Sequence, residues 1–226
     1  MNYFNHNITR KYVAIFGSLF DGIKIKKDSK DFIVPISYAK KDKLIQRALR
    51  RDESLKGVSM TLPRMAFEFT EFYYDGERKL NRLNKIVGID ETDGERYNQF
   101  TPVPYNLTAE LSIIANKNDD ITQIVEQILP QFTPDIKITA NLITELEHYF
   151  DLSFNLNSVY VQDLYEGLIE QKRIIIYGLN FTLKGYYFGE LYKDKPINTV
   201  IGNISTNFYG FDASESETVT ITEEDL

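Results

Sequence analysis

Between residues 105 and 130 apolar side chains recur first at every second position and then at every third or fourth. Tyr105, Leu107, Ala109, Leu111 and Ile113 alternate with Asn106, Thr108, Glu110 and Ser112, the period of a half-buried antiparallel strand. Ile121, Ile124, Val125, Ile128 and Leu129 then fall at i, i+3, i+4, i+7 and i+8, the apolar stripe of a helix. Asp119 and Asp120 occupy its first turn, where the helix dipole favours negative charge, and Asp120 with Gln123 fits a capping box. Pro130 stops it. A one-sided strand, a short loop and a one-sided helix imply a helix laid across one face of a sheet.

The rest of the chain extends this pattern. Ile8, Tyr12, Ile15, Phe16 and Leu19 mark an amphipathic helix. Residues 32–38 read as a strand, kept to an edge by Pro35, and residues 40–51 as a charged helix. Arg64 to Tyr74 is a strand with Met65, Phe67 and Phe69 on one face. Residues 78–95 read as a polar hairpin arm. Phe150, Leu152, Phe154 and Leu156 alternate again. Residues 172–188 form a long strand whose apolar parity changes across Gly178, as a β-bulge there would cause, and a strand of that length can project as an arm. The fold class expected is α+β: a mixed, largely antiparallel sheet with two or three helices packed on one face and a projecting long β-arm.

Charge is unevenly placed. Of the 33 acids six follow Lys195 (Asp212, Glu215, Glu217, Glu223, Glu224 and Asp225), and no Lys or Arg does. The remainder carries 27 acids against 26 bases. A near-neutral body with an acidic tail is poorly suited to gripping DNA or anionic lipid. The division expected is a single α+β domain over residues 1–195 and an acidic extension over 196–226. That extension reads as a solvated terminus. Alternatively, Thr218-Val219-Thr220-Ile221-Thr222 is a strand that orders on a neighbouring assembly protein.

Absent cysteine excludes disulfides, thiol catalysis and cysteine-based metal sites, and suits assembly in a reducing cytoplasm. The first residues lack a basic stretch followed by an apolar one, so no signal peptide is expected. No apolar run is long enough to cross a bilayer as a helix, and no membrane partner is expected. His6 and His148 are the two histidines. Neither pairs with a nucleophile motif, and His148 beside Glu145 and Glu147 reads as surface. The acidic loop at residues 90–95 fails as a calcium loop, because the first and last ligand positions fall on Ile89 and Phe100. No glycine-rich phosphate loop follows a strand. No enzyme, cofactor or metal is expected; an unrecognised hydrolase or a host-side binding module is the remote alternative.

Specific strings carry more than these periods. Glu110-Leu111-Ser112-Ile113, Asp119-Asp120, and the run from Gln123 to Pro130 with Phe132 and Pro134 after it closely resemble the tail sheath stabiliser family of T4-like contractile-tailed phages. Tyr3-Phe4-Asn5 with Arg10, Lys11 and Tyr12 is similar to the family's opening helix. Residues 34–39 and Leu62-Pro63-Arg64 are similar to its early strands. Lys172-Arg173 with Leu179, Phe181, Gly185 and Tyr187 is similar to its late arm. The likeness spans about residues 3–190 and departs at 40–56, at 75–101 and after 191.

The resemblance implies a virion protein, assembled in the host cytoplasm, that forms a homo-hexameric ring at the head-proximal end of the tail. There it would terminate tube and sheath and present a docking surface to the neck. The partners implied are a second copy, the tail sheath protein, the tail-tube terminator and the head-completion proteins, with DNA passing through unbound. A tube terminator or a neck adaptor ring is the nearest alternative. Candidate interface residues are Lys172 and Arg173 at the start of the long arm, Arg64 at the start of its strand, and Asp119, Asp120 and Glu126 on the charged side of the helix.

Overall fold

The computed structural model describes residues 3–27, 30–49, 61–89, 96–133, 135–146, 148–165, 173–194, 199–204 and 217–222. The chain opens with helix α1 (Ile8–Leu19), strands β1 (Lys24–Lys27), β2 (Lys30–Ile33) and β3 (Ile36–Tyr38), and helix α2 (Lys41–Leu49). Strands β4 (Arg64–Tyr74), β5 (Lys85–Ile89), β6 (Arg96–Phe100) and β7 (Val103–Ala115) follow, then helix α3 (Asn118–Ile128). The second half is β8 (Asp135–Ile143), β9 (His148–Tyr165), β10 (Arg173–Tyr187), β11 (Tyr192–Asp194), β12 (Thr199–Ile204) and β13 (Glu217–Thr222).

Six strands form the main sheet in the order β3-β4-β7-β10-β9-β8. Every pair in it is antiparallel except β3 with β4. The strand expected at residues 32–38 is divided at Pro35. Its first part pairs with β1, and its second is the parallel edge of the main sheet. Proline can donate no ladder hydrogen bond, so the break falls there. β11-β6-β5 make a second sheet, and β12 pairs with β13.

The core follows from the alternation. Met65, Phe67 and Phe69 of β4, Leu107 to Ala115 at odd positions of β7, and Ile175, Leu179, Phe181 and Leu183 of β10 join Tyr12 and Phe16 of α1 and Ile121 and Ile124 of α3 in one buried cluster. Phe16 is its hub, with ring centroids 5.0 Å from Phe67, 5.1 Å from Phe20 and 5.4 Å from Phe181. Thus α1 and α3 are the two helices on this face. The intervening residues Ala66, Ile114, Ile174 and Ile176 meet Leu44 and Ala48 of α2 on the opposite face.

That second, smaller core explains the parity change at Gly178, and no bulge lies there. β10 pairs with β7 without interruption from Ile175 to Tyr187. It reads as switching parity because its first residues are covered on both faces. The irregularities lie elsewhere: in β4 at Thr70, where Phe69 faces Ala109 and Glu71 faces Thr108, in β9 at Asn157, and in β8 at Leu142. The slip at Thr70 returns Phe72 and Tyr74 to the face of Phe67 and Phe69. Nor is β10 a projecting arm. It runs through the middle of the sheet, flanked by β7 and β9.

The expected capping box is also absent. The N-cap of α3 is Lys117, with no side-chain cap, which puts Asp120 inside the first turn. Its side chain is 6% exposed and accepts from Lys27 Nζ at 3.0 Å. Gln123 Oε1 accepts from the Lys26 amide at 2.9 Å, and Gln127 Nε2 donates to the Lys24 carbonyl at 2.8 Å. Helix α3 is therefore stitched along β1 by three successive turns of polar side chains.

Candidate assembly surfaces

The main sheet leaves two stretches of strand open. β3 pairs with β4 over Met65–Phe67 alone, so residues 68–74 carry β7 on one side and no strand on the other among the described residues. At the far edge β8 pairs with β9 over His148–Asn155, which among the described residues leaves 156–165 bonded to β10 on one side only. The register sets the two stretches at diagonally opposite corners. Tyr74 faces Tyr105, which faces Gly185, next to the end of β9 that carries Ser153. Tyr165 faces Arg173 at the other end, where Ile175 faces Ala115.

Both corners expose apolar side chains. Phe72, Tyr73 and Tyr74 are 45–48% exposed, and Val161 is 56% exposed. An uncovered strand edge beside apolar side chains invites another strand, and soluble proteins ordinarily protect it. Three consecutive aromatics after an alternating strand were the signal in the sequence that could have located the first corner.

Polar clusters brace each corner. Beside the first, Arg78 Nε donates to Asp75 Oδ2 at 2.7 Å, and Asn106 links the pair by donating to Asp75 Oδ2 and accepting from Arg78. Hydrogen bonds from Arg78 lower the Asp75 carboxyl to about 2. Beside the second, the Tyr160 ring lies over Gly178, its hydroxyl donates to Glu110 Oε1, and Lys41 Nζ donates to that hydroxyl at 2.9 Å. Burial, reinforced by Glu110, raises the Tyr160 pKa.

Tyr12, Gly185 and Tyr187, three of the residues that carry the resemblance, meet where α1 packs on β10. Tyr12 Oη donates to the Tyr186 carbonyl at 2.6 Å and accepts from the Tyr186 amide at 2.7 Å. A Cβ on Gly185 would lie 2.8 Å from that hydroxyl, so glycine is what lets the ring reach the strand. Tyr187 packs edge-on to Tyr12 and bonds Thr9 Oγ1 at 2.9 Å.

The candidate interface residues that are described lie on different parts of the fold. Asp119 and Glu126 are exposed on α3. Asp120 is held inward by Lys27 and is unavailable to a neighbour without losing that ion pair. Arg64 lies across the sheet from α3, lining a groove beside α2. Arg173 opens β10 beside Tyr165, and Lys172 lies outside the described residues, as does the acidic loop at 90–95.

Comparison with known proteins places the sequence among contractile-tail proteins. The tail completion protein gp15 of Enterobacteria phage T4 is 28% identical over 223 residues, which cover 94% of this chain and 79% of that protein. Residues 3–226 match the family described as the T4-like virus Myoviridae tail sheath stabiliser. The chain belongs to that family and is a structural protein of the contractile phage tail.

Proposed function

We propose that this protein closes a six-fold ring at the head-proximal end of the tail, where it terminates tube and sheath and offers the neck its docking surface. The observation that carries this reading is the pair of unlike open edges at opposite corners of one sheet. Residues 68–74 of one copy and 156–165 of the next can pair as strands, a contact between different surfaces that recurs from copy to copy. Such a heterologous contact gives a ring when its rotation closes and a filament when it does not. Six copies are what the family resemblance implies. Each edge would gain main-chain hydrogen bonds, with Phe72, Tyr74 and Val161 adding apolar contact.

The sheath protein, the tube terminator and the head-completion proteins are the neighbours in this reading. The near-neutral body leaves DNA to pass without specific binding. Residues 1–195 act as the single ring-forming domain and 196–226 as its acidic extension. Arg64, Asp119, Glu126, Lys172 and Arg173 remain candidate contacts, while Asp120 serves α3 and β1. No catalytic step is part of this role.

Native mass of the purified chain, alone and with sheathed tails, tests the proposal. Six copies of 26.3 kDa give about 158 kDa. Tyr73→Lys and Val161→Lys, at exposed positions of the two edges, should each leave the fold intact and reduce that species to monomer. A wild-type chain that stays monomeric and fails to co-sediment with sheathed tails would defeat the reading.

A further inference from the structure

On the face opposite α1 and α3, α2 and the β3–β4 edge enclose a groove of about 480 Å³ lined by Lys40, Lys43, Arg47, Arg64, Glu68 and the apolar Leu44. Four cations face one acid. Among the described residues none of the four forms an ion pair. Lys43 and Arg47 stand at i and i+4 on α2, a like-charge spacing that weakens a helix unless an anion sits between them. Arg64 adds an independent sign, because its Nε is buried and has no hydrogen-bond partner. A buried donor without a partner is uncommon in a folded protein, and an anion entering the groove would supply one.

We propose that this groove binds an acidic peptide segment, and that the segment is residues 212–226 of a neighbouring copy. The inference rests on the ring reading for the presence of that neighbour. Charge complementarity selects the occupant: six acids and no base follow Lys195, in a chain whose remainder is nearly balanced. The lining selects peptide over nucleic acid. Leu44, 3% exposed, and the flanking Ala39 give the groove an apolar floor. Val219, Ile221 and Leu226 lie among the acids of the segment, whereas a phosphodiester chain would meet that floor and Glu68 with unbroken negative charge. Topology favours a neighbour. The chain leaves the body through β11 beyond Tyr187, whereas Arg64 faces Ile114 and Ile114 faces Ile176, eleven residues along β10 from Tyr187. At strand rise that separation is about 35 Å. The hairpin then shortens the reach of the segment by folding Thr222 back beside Thr199.

Mixed unlabelled and 15N-labelled full-length chains, joined with a zero-length carbodiimide and mapped by mass spectrometry, test the contact. The expected products link Lys40 or Lys43 to acids of residues 212–225 between chains of different label. They should fall at least fivefold between 50 and 500 mM salt, because exposed pairs are screened. Arg47→Glu, which keeps the Lys40 and Lys43 amines, should reduce them severalfold. In the triple variant Lys40→Glu, Lys43→Glu and Arg47→Glu, reversing Glu215, Glu223 and Glu224 to Lys should restore mixed-label links with the polarity exchanged. Lys40, Lys43 and Arg47 are exposed, and thermal melts verify the fold of each variant. Native mass separates this proposal from the ring. A 158 kDa species without these links overturns the docking and leaves the ring standing. Mixed-label links without that species, and without co-sedimentation with sheathed tails, sustain the docking and defeat the ring. Links within single labels only, or their loss to competing duplex DNA at equal charge, overturn the proposal.

Discussion

Replacing Gly178 by alanine would set a methyl group into the ring of Tyr160. An ideal Cβ there lies 2.1 Å from Tyr160 Cζ and 2.4 Å from its hydroxyl, so the ring must swing off the strand. Leaving, it gives up its bonds to Glu110 and Lys41 and the stacking of Lys41 over its face at 4.9 Å. Both hydrogen bonds involve charged partners, but the charged side chains are each 21% exposed, so about 1 kcal/mol each is a fair value. The cation–π contact adds about 0.5 kcal/mol. Removing a glycine from a strand interior returns about 0.5 kcal/mol. The net expectation is a loss of about 2 kcal/mol, a fall in Tm of roughly 4–8 °C for a domain of this size. Urea and thermal unfolding followed by circular dichroism measure it. The decisive comparison is the same substitution in a Tyr160→Ala background, where the methyl group has room and Gly178→Ala should be neutral or mildly stabilising. An equal cost in both backgrounds would refute the packing argument.

Phe16→Ala, which removes the hub of the aromatic core, should cost about 3–5 kcal/mol in urea unfolding, and Phe16→Leu distinctly less. Asp120→Ala, which breaks the ion pair with the partly exposed Lys27, should cost about 1–2 kcal/mol, and less in a Lys27→Ala background. The Asp75 carboxyl sits at about 2 when folded, against about 3.9 unfolded. Its contribution is therefore present above pH 4 and lost as pH falls through 2. Asp75→Asn should flatten the decline of stability across that window relative to wild type, and an unchanged slope would remove Asp75 as its source.

Elements whose burial is one-sided were legible from sequence. The strand at residues 105–115 and the helix at 121–129 each bury one face of a regular lattice, so their side-chain period reports their structure directly. The strand at 64–74 was legible for the same reason, up to the residue where it slips. β8 was missed because its residues Asp135 to Ile143 are mostly half-buried at a sheet edge, which leaves only a shallow alternation. Gly178 was misread because a break in parity has two causes, a bulge or burial on both faces, and the string of residues is the same for either. Asp120 was misread as a capping residue because a carboxylate in a helix's first turn looks the same whether it caps the helix or meets a lysine from another strand.

The amino-acid sequence alone settled the class of fold, the helices and principal strands, the near-neutral body with its acidic tail, and through its central strings the family. These are properties of neighbours along the chain, where period and local chemistry suffice. Tertiary structure decided which edges of the sheet stay open, that α2 covers the face opposite α1 and α3, and that Lys40, Lys43, Arg47 and Arg64 share one groove. Each of those depends on which distant strand ends first or which residues meet across the sheet. Strand length and register are set jointly by both partners of a pair, and no single segment encodes them.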